Sequence, residues 1–431
     1  MRFVTRAVPL AVFLSLVGPV AHAADPTLED YIRSALEKNP GRAVSQAALL
    51  DAEAERLDRG SRLLPTVTVQ ATRTFNEFES SFAVGPGEEV VFQRKSQNDA
   101  LLAARMPLFD ADAFLKWRAG RAGTRAAEAD DRTNERDVAL NVARAYYTAS
   151  AASEVVRAAE RAKATAAENM RIVQARLQIG ATTQLLVDRA ELEVSRAEQV
   201  LIDARRVWNS SRRSLATLSG LAEPATLPAI APSTEAPPTE DSMLQAALAG
   251  RPDVLAARER MSEASRGRMA AWGSYLPRVT ANGYERYTDA PGFSGEEMTW
   301  QATIVADWTL LDGGTRSAEL KRRRAAILRA RARLTDAENI AKDELHSAWL
   351  DVDAALAKLA AARRGDAVAR SAAEETRLRF KAGTVTQLDV IQSDRDALQA
   401  EVDRIRAEGE LSIARLALRR AAGEPLPGSS P

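Results

Sequence analysis

Arg176-Leu177-Gln178-Ile179-Gly180-Ala181-Thr182-Thr183-Gln184-Leu185 returns 203 residues later as Arg379-Phe380-Lys381-Ala382-Gly383-Thr384-Val385-Thr386-Gln387-Leu388. Each of the two glycines is followed 40 residues on by another, Gly220 and Gly423. Upstream, Asn39-Pro40 precedes Leu64-Pro65 by 25 residues, and Arg251-Pro252 precedes Leu276-Pro277 by the same interval. The offset is 212 at the first pair and 203 at the last two, because the middle loop is about ten residues longer in the first half. A single match would mean little. Several matches in one order mean that the chain is a duplication.

The bulk numbers bound what the duplicated unit does. Arg2 and Arg6, the apolar stretch 7–20 and the small-x-small triplet Ala21-His22-Ala23 have the form of a secretory signal over residues 1–23, too short to span a bilayer. No other stretch reaches the roughly 20 apolar residues of a membrane helix. Lysine plus arginine and aspartate plus glutamate number 59 each, so loss of Arg2 and Arg6 leaves a net charge near −2. That balance argues against nucleic acid as a partner. The chain has no cysteine, which excludes disulfides, thiolate metal sites and a lipid anchor on an N-terminal cysteine. Aromatic residues make up only 5%, and alanine, arginine, glutamate and leucine dominate, a composition of long helices rather than of a thick globular core.

The two halves, 24–222 and 241–423, meet in a proline-rich linker, 223–240, that cannot be helical and is expected to run extended along a surface. Residues 424–431 are expected to form a frayed tail. Within each half the order reads helix, strand, strand, helix, helix. Segments 28–64 and 241–276 have helical apolar spacing and end at a Leu-Pro step. Four segments then alternate, at about 66–75, 98–106, 278–287 and 299–310. In the first, Val67, Val69, Ala71 and Phe75 share one face; in the last, Trp300, Ala302, Ile304, Ala306, Trp308 and Leu310 do. Arg73 and Glu285 are exceptions on the apolar side. Period two over about ten residues fits a tilted membrane strand and fits a half-buried soluble strand equally well.

Beyond the strands, 111–179 and 315–382 contain no proline, and at 1.5 Å per residue each spans about 100 Å. Asp110 and Asp312 stand where an N-cap is expected. The seam from Leu140 through Ala143, Tyr147, Ala151, Val155 and Ala158 to Ala162 is mostly small, which lets helices approach closely. The return helices, 184–219 and 387–422, are half as long, so each matches the length left over beside a first-position helix. The expected fold is mainly α with a small β portion, a bundle of coiled coils about 100 Å long. Four strands cannot close a barrel, and an open edge in lipid leaves backbone groups unsatisfied. Membrane insertion therefore demands that several chains pool their strands.

The duplication, the Leu64-Pro65 and Leu276-Pro277 steps into strands, Leu311-Asp312-Gly313-Gly314 leaving them, and the paired Arg-x-x-x-Gly-x-x-Thr-x-Leu turns together resemble the TolC family of outer-membrane efflux proteins over essentially the whole mature chain. The resemblance implies a homotrimer with a twelve-stranded β-barrel in the outer membrane of a Gram-negative bacterium. It implies a periplasmic α-barrel, partners in a periplasmic adaptor protein, an inner-membrane transporter and outer-membrane lipid, and no enzymatic activity. It also implies two sites. The turns Gly180-Ala181-Thr182-Thr183 and Gly383-Thr384-Val385-Thr386 correspond to the tip that docks the adaptor, although a glycine that only forms the turn explains them as well. Asp389 falls where the family places an acidic ring at its periplasmic gate, where three copies would bind cations and repel anions. Leu186, Val385 and Gln392 depart from the charges the family carries nearby, and Asp394 is a substitute if its helix face allows.

No cofactor or metal is expected. The only histidine after the leader, His346, cannot build a triad or a zinc site alone, and the chain lacks a Gly-Lys dipeptide for a phosphate-binding loop. Lys321-Arg322-Arg323-Arg324 reads as a solvated helix face. Two other readings compete. A periplasmic adaptor has one hairpin flanked by small β domains, which the duplicated hairpins here do not match. A purely structural coiled-coil protein leaves the four alternating strands without a purpose.

Overall fold

The computed structural model describes residues 26–428; the leader expected at 1–23 and residues 429–431 lie outside the described residues. The elements are α1 (Leu28–Lys38), α2 (Pro40–Ser61), β1 (Thr66–Phe75), β2 (Ser80–Gly85), β3 (Glu88–Gln93), β4 (Ser96–Phe109), α3 (Ala111–Gln178), α4 (Gln184–Ser219), α5 (Glu240–Gly250), α6 (Pro252–Gly273), β5 (Arg278–Thr288), β6 (Met298–Asp307), α7 (Thr315–Lys381) and α8 (Gln387–Ala421). Among the described residues no helix is long and apolar enough to cross a membrane.

Each first-position helix is two helices, not one as the spacing over 28–64 and 241–276 suggested. The breaks fall at Asn39 and Arg251, each extended and each followed by proline at the first helical position. Proline forces the residue before it out of the helix, and there the return helices arrive. Lys38 Nζ donates to the Gly220 carbonyl at 3.4 Å, and a Cβ on Gly220 would meet the Lys38 side chain at 2.9 Å. In the second half Arg251 donates to the Ala421 carbonyl at 3.4 Å, and a Cβ on Gly423 would stand 3.2 Å from the Arg251 nitrogen. So α4 abuts the α1–α2 break, α8 abuts the α5–α6 break, and α3 and α7 run alongside as unbroken struts of about 100 Å.

Two apolar clusters hold these joints. Tyr31, Ile32, Val142, Tyr146, Leu215 and Leu227 form one, and Met243, Leu345, Val352, Leu359, Leu411 and Leu418 the other. The linker runs extended as expected, but it is anchored: Leu227 is buried, Ser150 donates to the Pro228 carbonyl, and Trp349 Nε1 donates to the Pro238 carbonyl at 2.9 Å. The tail is not frayed over its described part: Leu426 is buried and belongs to the same cluster as Tyr31 and Ile32.

Four strands form one antiparallel sheet in the order β1-β4-β5-β6. Strands 98–106 and 299–310 were misplaced by a few residues, with Trp308 and Leu310 lying past the end of β6. The hairpin β2–β3 was missed. Phe82 and Val84, the Pro86-Gly87 turn, and Val90 and Phe92 carry its signal in the sequence. Phe82 and Phe92 both meet Phe293, in a single 3-10 turn at Gly292–Ser294, with ring centroids 6.2 and 4.7 Å apart. Asp110 caps α3, accepting from the Ala113 N–H at 2.9 Å. Asp312 does not cap α7, whose N-cap is Gly314 at φ +93°; its carboxylate instead accepts from the Gly314 and Arg316 amides at 3.0 and 2.9 Å.

Arg251 is 2% exposed and pairs with Asp253 at 2.7 Å and Glu344 at 2.6 Å. Burial alone would push the Asp253 carboxyl up, but the hydrogen bonds and charge of Arg251 hold it below the ordinary value. Arg251→Met strands that carboxylate, and chemical denaturation is expected to show a loss of about 3 kcal/mol. Because a depressed carboxyl contributes stability only above its unfolded pKa, the wild-type advantage is expected to fade as pH falls below about 4.

Candidate functional site: a two-faced sheet and a paired hairpin tip

Register decides what the sheet can do. Val69, Leu102, Glu285 and Trp300 form one cross-strand row, Ala71, Ala100, Tyr287 and Met298 the next, and Val67, Ala104, Gly283 and Ala302 another. Directly opposed residues share a face, so four separate alternations add up to one apolar surface. Thr66, Arg105, Asn282 and Thr303 make a row on the other face, as do Thr68, Ala103, Tyr284 and Gln301. That face is cross-linked by polar contacts: Tyr284 Oη to Gln301 Oε1 at 2.6 Å and Arg286 to Asp99 at 3.2 Å.

Among the described residues nothing covers the apolar face. Val69, Trp300 and Ile304 are 77, 79 and 74% exposed. The two exceptions found in the sequence do lie on this face. Arg73 sits at its upper end, donating to Ser96 Oγ at 3.2 Å and stacking over the Phe75 ring at 5.2 Å, while Glu285 is flanked by Leu102 and Trp300. One edge of β1 and one of β6 are unpaired within the described residues.

At the opposite end of the molecule the two repeated turns have the same backbone. Gly180 and Gly383 take φ of +70° and +77°. Ala181 N–H reaches the Arg176 carbonyl at 2.8 Å and Gly180 N–H the Leu177 carbonyl at 2.9 Å; Thr384 to Arg379 and Gly383 to Phe380 repeat the pattern, both at 3.0 Å. This pair of bonds closes a helix C-terminus on a left-handed glycine, which explains why both copies hold glycine. Thr183 and Thr386 then start α4 and α8 as N-caps.

The two turns differ in one respect. Thr386 and Asp389 form a capping box: Asp389 N–H donates to the Thr386 hydroxyl at 3.3 Å, and Thr386 N–H donates to the Asp389 carboxylate at 2.8 Å. The bonds from the Thr386 hydroxyl and amide hold the Asp389 carboxyl below its ordinary value. The first repeat has Leu186 in that place, and Thr183 makes no side-chain cap. Asp389 is therefore the N3 residue of a cap, with its side chain exposed at the tip.

The hairpins α3–α4 and α7–α8 are tied to each other just above the turns. Arg176 lies over the Phe380 ring at 4.4 Å and donates to its carbonyl at 3.1 Å. Val173, Val187, Phe380 and Val390 bury one another between the tips. Farther up, Arg395 Nε donates to Glu193 at 2.8 Å, Asn169 to Asp394 at 3.0 Å, and Arg161 to Glu401 at 2.9 Å. Asp394 also pairs with Arg377 at 2.6 Å, so its helix face points between the hairpins. Burial raises its carboxyl above the ordinary value despite Arg377 and Asn169, with Glu193 adding to the rise. These ties line a recess of about 1340 Å³ between the hairpins. Of the two carboxylates marked in the sequence, Asp389 and Asp394, only the second bridges hairpins. Arg176 was inside the repeated motif, but its partner Phe380 replaces Leu177 of the first copy and gave no signal.

Outermost at the tip are apolar side chains without cover. Leu185 and Leu388, equivalent positions in the two repeats, are 57 and 61% exposed, and Ile179 is also bare.

The profile of the outer membrane efflux protein family matches residues 31–221 and 243–424, one segment for each half. The chain belongs to that family. It is 26% identical over 294 residues to the outer membrane efflux protein BepC of Brucella suis, covering 68% of this chain and 64% of the relative. It is 25% identical to the pyoverdine export outer membrane protein OpmQ of Pseudomonas putida, covering 95% of this chain and 88% of that one. The fold is that of CusC, with a TM-score of 0.78 at 16% identity and 96% coverage of both chains. The open state of the MtrE outer membrane channel of Neisseria gonorrhoeae aligns at a TM-score of 0.75 and 21% identity, covering 93 and 90%.

Thr386→Ala removes one capping box, and thermal or chemical denaturation is expected to show a loss of about 1 kcal/mol, with faster amide exchange confined to the first turn of α8. Thr183→Ala, which removes no side-chain cap, is expected to leave the start of α4 unchanged by the same exchange measurement. Asp394 behaves oppositely to Asp253. Its raised pKa means that the folded chain binds that proton more tightly, so Asp394→Asn is expected to flatten a stability gain that appears as pH falls through the raised value toward the ordinary carboxylate range.

Proposed function

We propose that three copies of this chain close a twelve-stranded barrel in the outer membrane and continue below it as a helical tunnel, a passive exit duct for an envelope efflux or type I secretion pump. The carrying observation is the register, which stacks four alternating strands into one uncovered apolar face and one polar face. Lipid satisfies the first and an aqueous lumen the second, and joining β1 of one copy to β6 of the next removes every open edge. Ten residues tilted at about 40° make a band about 25 Å tall, the height such barrels present to lipid.

The helices beneath supply a matching seam. Ala47, Ala54 and Ser61 follow one another at intervals of seven on the side of α2 away from α3, and Ala318, Ala325 and Ala332 do so on the side of α7 away from α6. Small side chains let α2 of one copy and α7 of the next approach as closely as helices within one copy do. The exported substrate is chosen by the pump that feeds the tunnel.

At the periplasmic end, Gly180, Ala181, Thr182, Thr183 and Gly383, Thr384, Val385, Thr386 present the docking tip, with Leu185 and Leu388 as the apolar contacts for the helical hairpin of a periplasmic adaptor bound to an inner-membrane transporter. Three Asp389 carboxylates at this end supply the acidic ring of the gate, and the ties through Arg395, Asn169 and Arg176 hold the two hairpins together in the conformation described here.

The reading is tested by isolating the mature protein from outer membranes, measuring its mass and recording conductance across a planar bilayer. A trimer that conducts is expected; a soluble, non-conducting monomer overturns it. Leu185→Glu with Leu388→Glu is expected to abolish capture of the adaptor and to leave conductance intact, since burying a charge against an apolar partner costs several kcal/mol. Asp389→Ala is expected to weaken block by multivalent cations; unchanged block removes Asp389 from the gate.

A further inference from the structure

We infer that the outward face of the helical layer just beneath the sheet binds the phosphate groups of anionic phospholipids in the periplasmic leaflet, through Arg118, Arg121 and Arg324. The inference rests on the reading that the sheet lies in the bilayer.

The three arginines are exposed, and two form part of a stripe along α3: Phe114, Arg118, Arg121, Arg125 and Arg132, at steps of four, three, four and seven. The flanks of α3 are occupied. On one side Gly120 meets Arg59 of α2, and on the other Gly273 of α6 meets Ala111 and Asp112. The stripe therefore faces one of the two broad surfaces of the layer α2-α3-α6-α7, either the lumen or the membrane side.

Chirality decides which. Asn76 N–H donates to the Lys95 carbonyl, extending the β1–β4 ladder, so the even-numbered residues of β1, which carry the polar face, turn their amides toward β4. For L-residues this fixes the hand of the sheet. Seen from the apolar face with β1 rising, the strands run right to left as β1, β4, β5, β6, and the helices below as α2, α3, α6, α7. Helix α3 descends with α2 on its right. A right-handed helix with Gly120 and Thr124 toward α2 turns Phe114, Arg118 and Arg121 toward that viewer. The same construction on α7, with Arg323 against Gly267 of α6, places Arg324 on this surface as well.

The depth is also right. Below the last rows of the sheet the outward surface stays apolar for a short distance, with Leu64, Phe114, Trp272 and Leu276 exposed. Arg118 is one helical turn below Phe114, about 6 Å along the axis. Arg121 and Arg324 lie about a turn farther, at about 15 Å below the starts of α3 and α7. Beyond the hydrocarbon a bilayer has a headgroup zone of about 5–8 Å on each side, and long basic side chains reach upward into it. Several acids of this layer are engaged elsewhere: Glu259 pairs with Arg125, Glu263 with Arg59, and Glu319 with Arg323. Among the described residues Arg118 and Arg324 have no ion pair, and Arg121 only stacks over Trp117 at 5.5 Å. Guanidinium donors with an apolar collar above them match a lipid whose phosphate sits directly beneath its acyl chains.

The test uses the mature trimer in phosphatidylcholine vesicles containing a minor, equal fraction of either phosphatidylglycerol or phosphatidylcholine brominated on its acyl chains. Quenching of the exposed Trp272, Trp300 and Trp308 reports which lipid gathers there, and conductance of the same vesicles reports insertion. Brominated phosphatidylglycerol is expected to quench several-fold more steeply, each engaged arginine contributing up to roughly fivefold enrichment. The triple variant Arg118→Gln, Arg121→Gln, Arg324→Gln is expected to equalise the two slopes with conductance retained, and the triple lysine variant to keep the preference. Equal slopes in the wild type, or a preference undiminished in the glutamine variant, overturn the inference while leaving the channel reading in place. Absence of both conductance and quenching overturns the two together.

Discussion

The unpaired edges of β1 and β6 are the constraint on which the rest depends. A four-stranded sheet with one apolar and one polar face is incomplete in two directions at once: its face lacks a covering layer and its margins lack hydrogen-bond partners. One protomer cannot supply either. Pooling strands between copies answers the margins, and lipid answers the face. The helical part follows from that arrangement, since each strand end continues into a helix that must keep the same order around the axis. The stacked joints at Gly220 and Gly423 then set the short helices end to end, while α3 and α7 run beside them unbroken.

Much of this was legible in the sequence because duplication supplies its own control. Gly180 and Gly383 identify each other, and the unbroken runs before them fixed α3 and α7 to within a residue of their ends. Alternation located the four sheet strands, since period two is a property of neighbours along the chain. What remained hidden depended on partners far apart. The prolines after Asn39 and Arg251 end a helix at each, but helical apolar spacing runs on across both breaks, so periodicity alone reads each pair as one helix. The hairpin β2–β3 is too short for its alternation to stand out, and Leu426 is buried by Tyr31 and Ile32 some four hundred residues away.

The candidate site divides along the same line. The turn glycines were readable because their φ is a local demand. Asp389 lies in the first turn of α8, and its capping bond with Thr386 gives it a structural part that the residue spacing alone does not reveal. Arg176, Asn169, Glu193 and Arg395 were invisible as a group, since nothing along the chain relates α3 and α4 to α7 and α8 at those heights. Asp394 shows the difference plainly: spacing placed it near the tip, and only packing decided that it bridges hairpins.

On the docking proposed above, one capping box, present after Gly383 and absent after Gly180, would set the symmetry that the partner meets. In a ring of three chains the six hairpin ends would share one backbone shape but alternate between a helix start capped by its own side chains and one without a side-chain cap. To a binding protein this is a threefold ring of unlike pairs. Sixfold equivalence is broken before any contact is made, so adaptor subunits in six copies would meet two kinds of end, and three copies would each span one capped and one uncapped end.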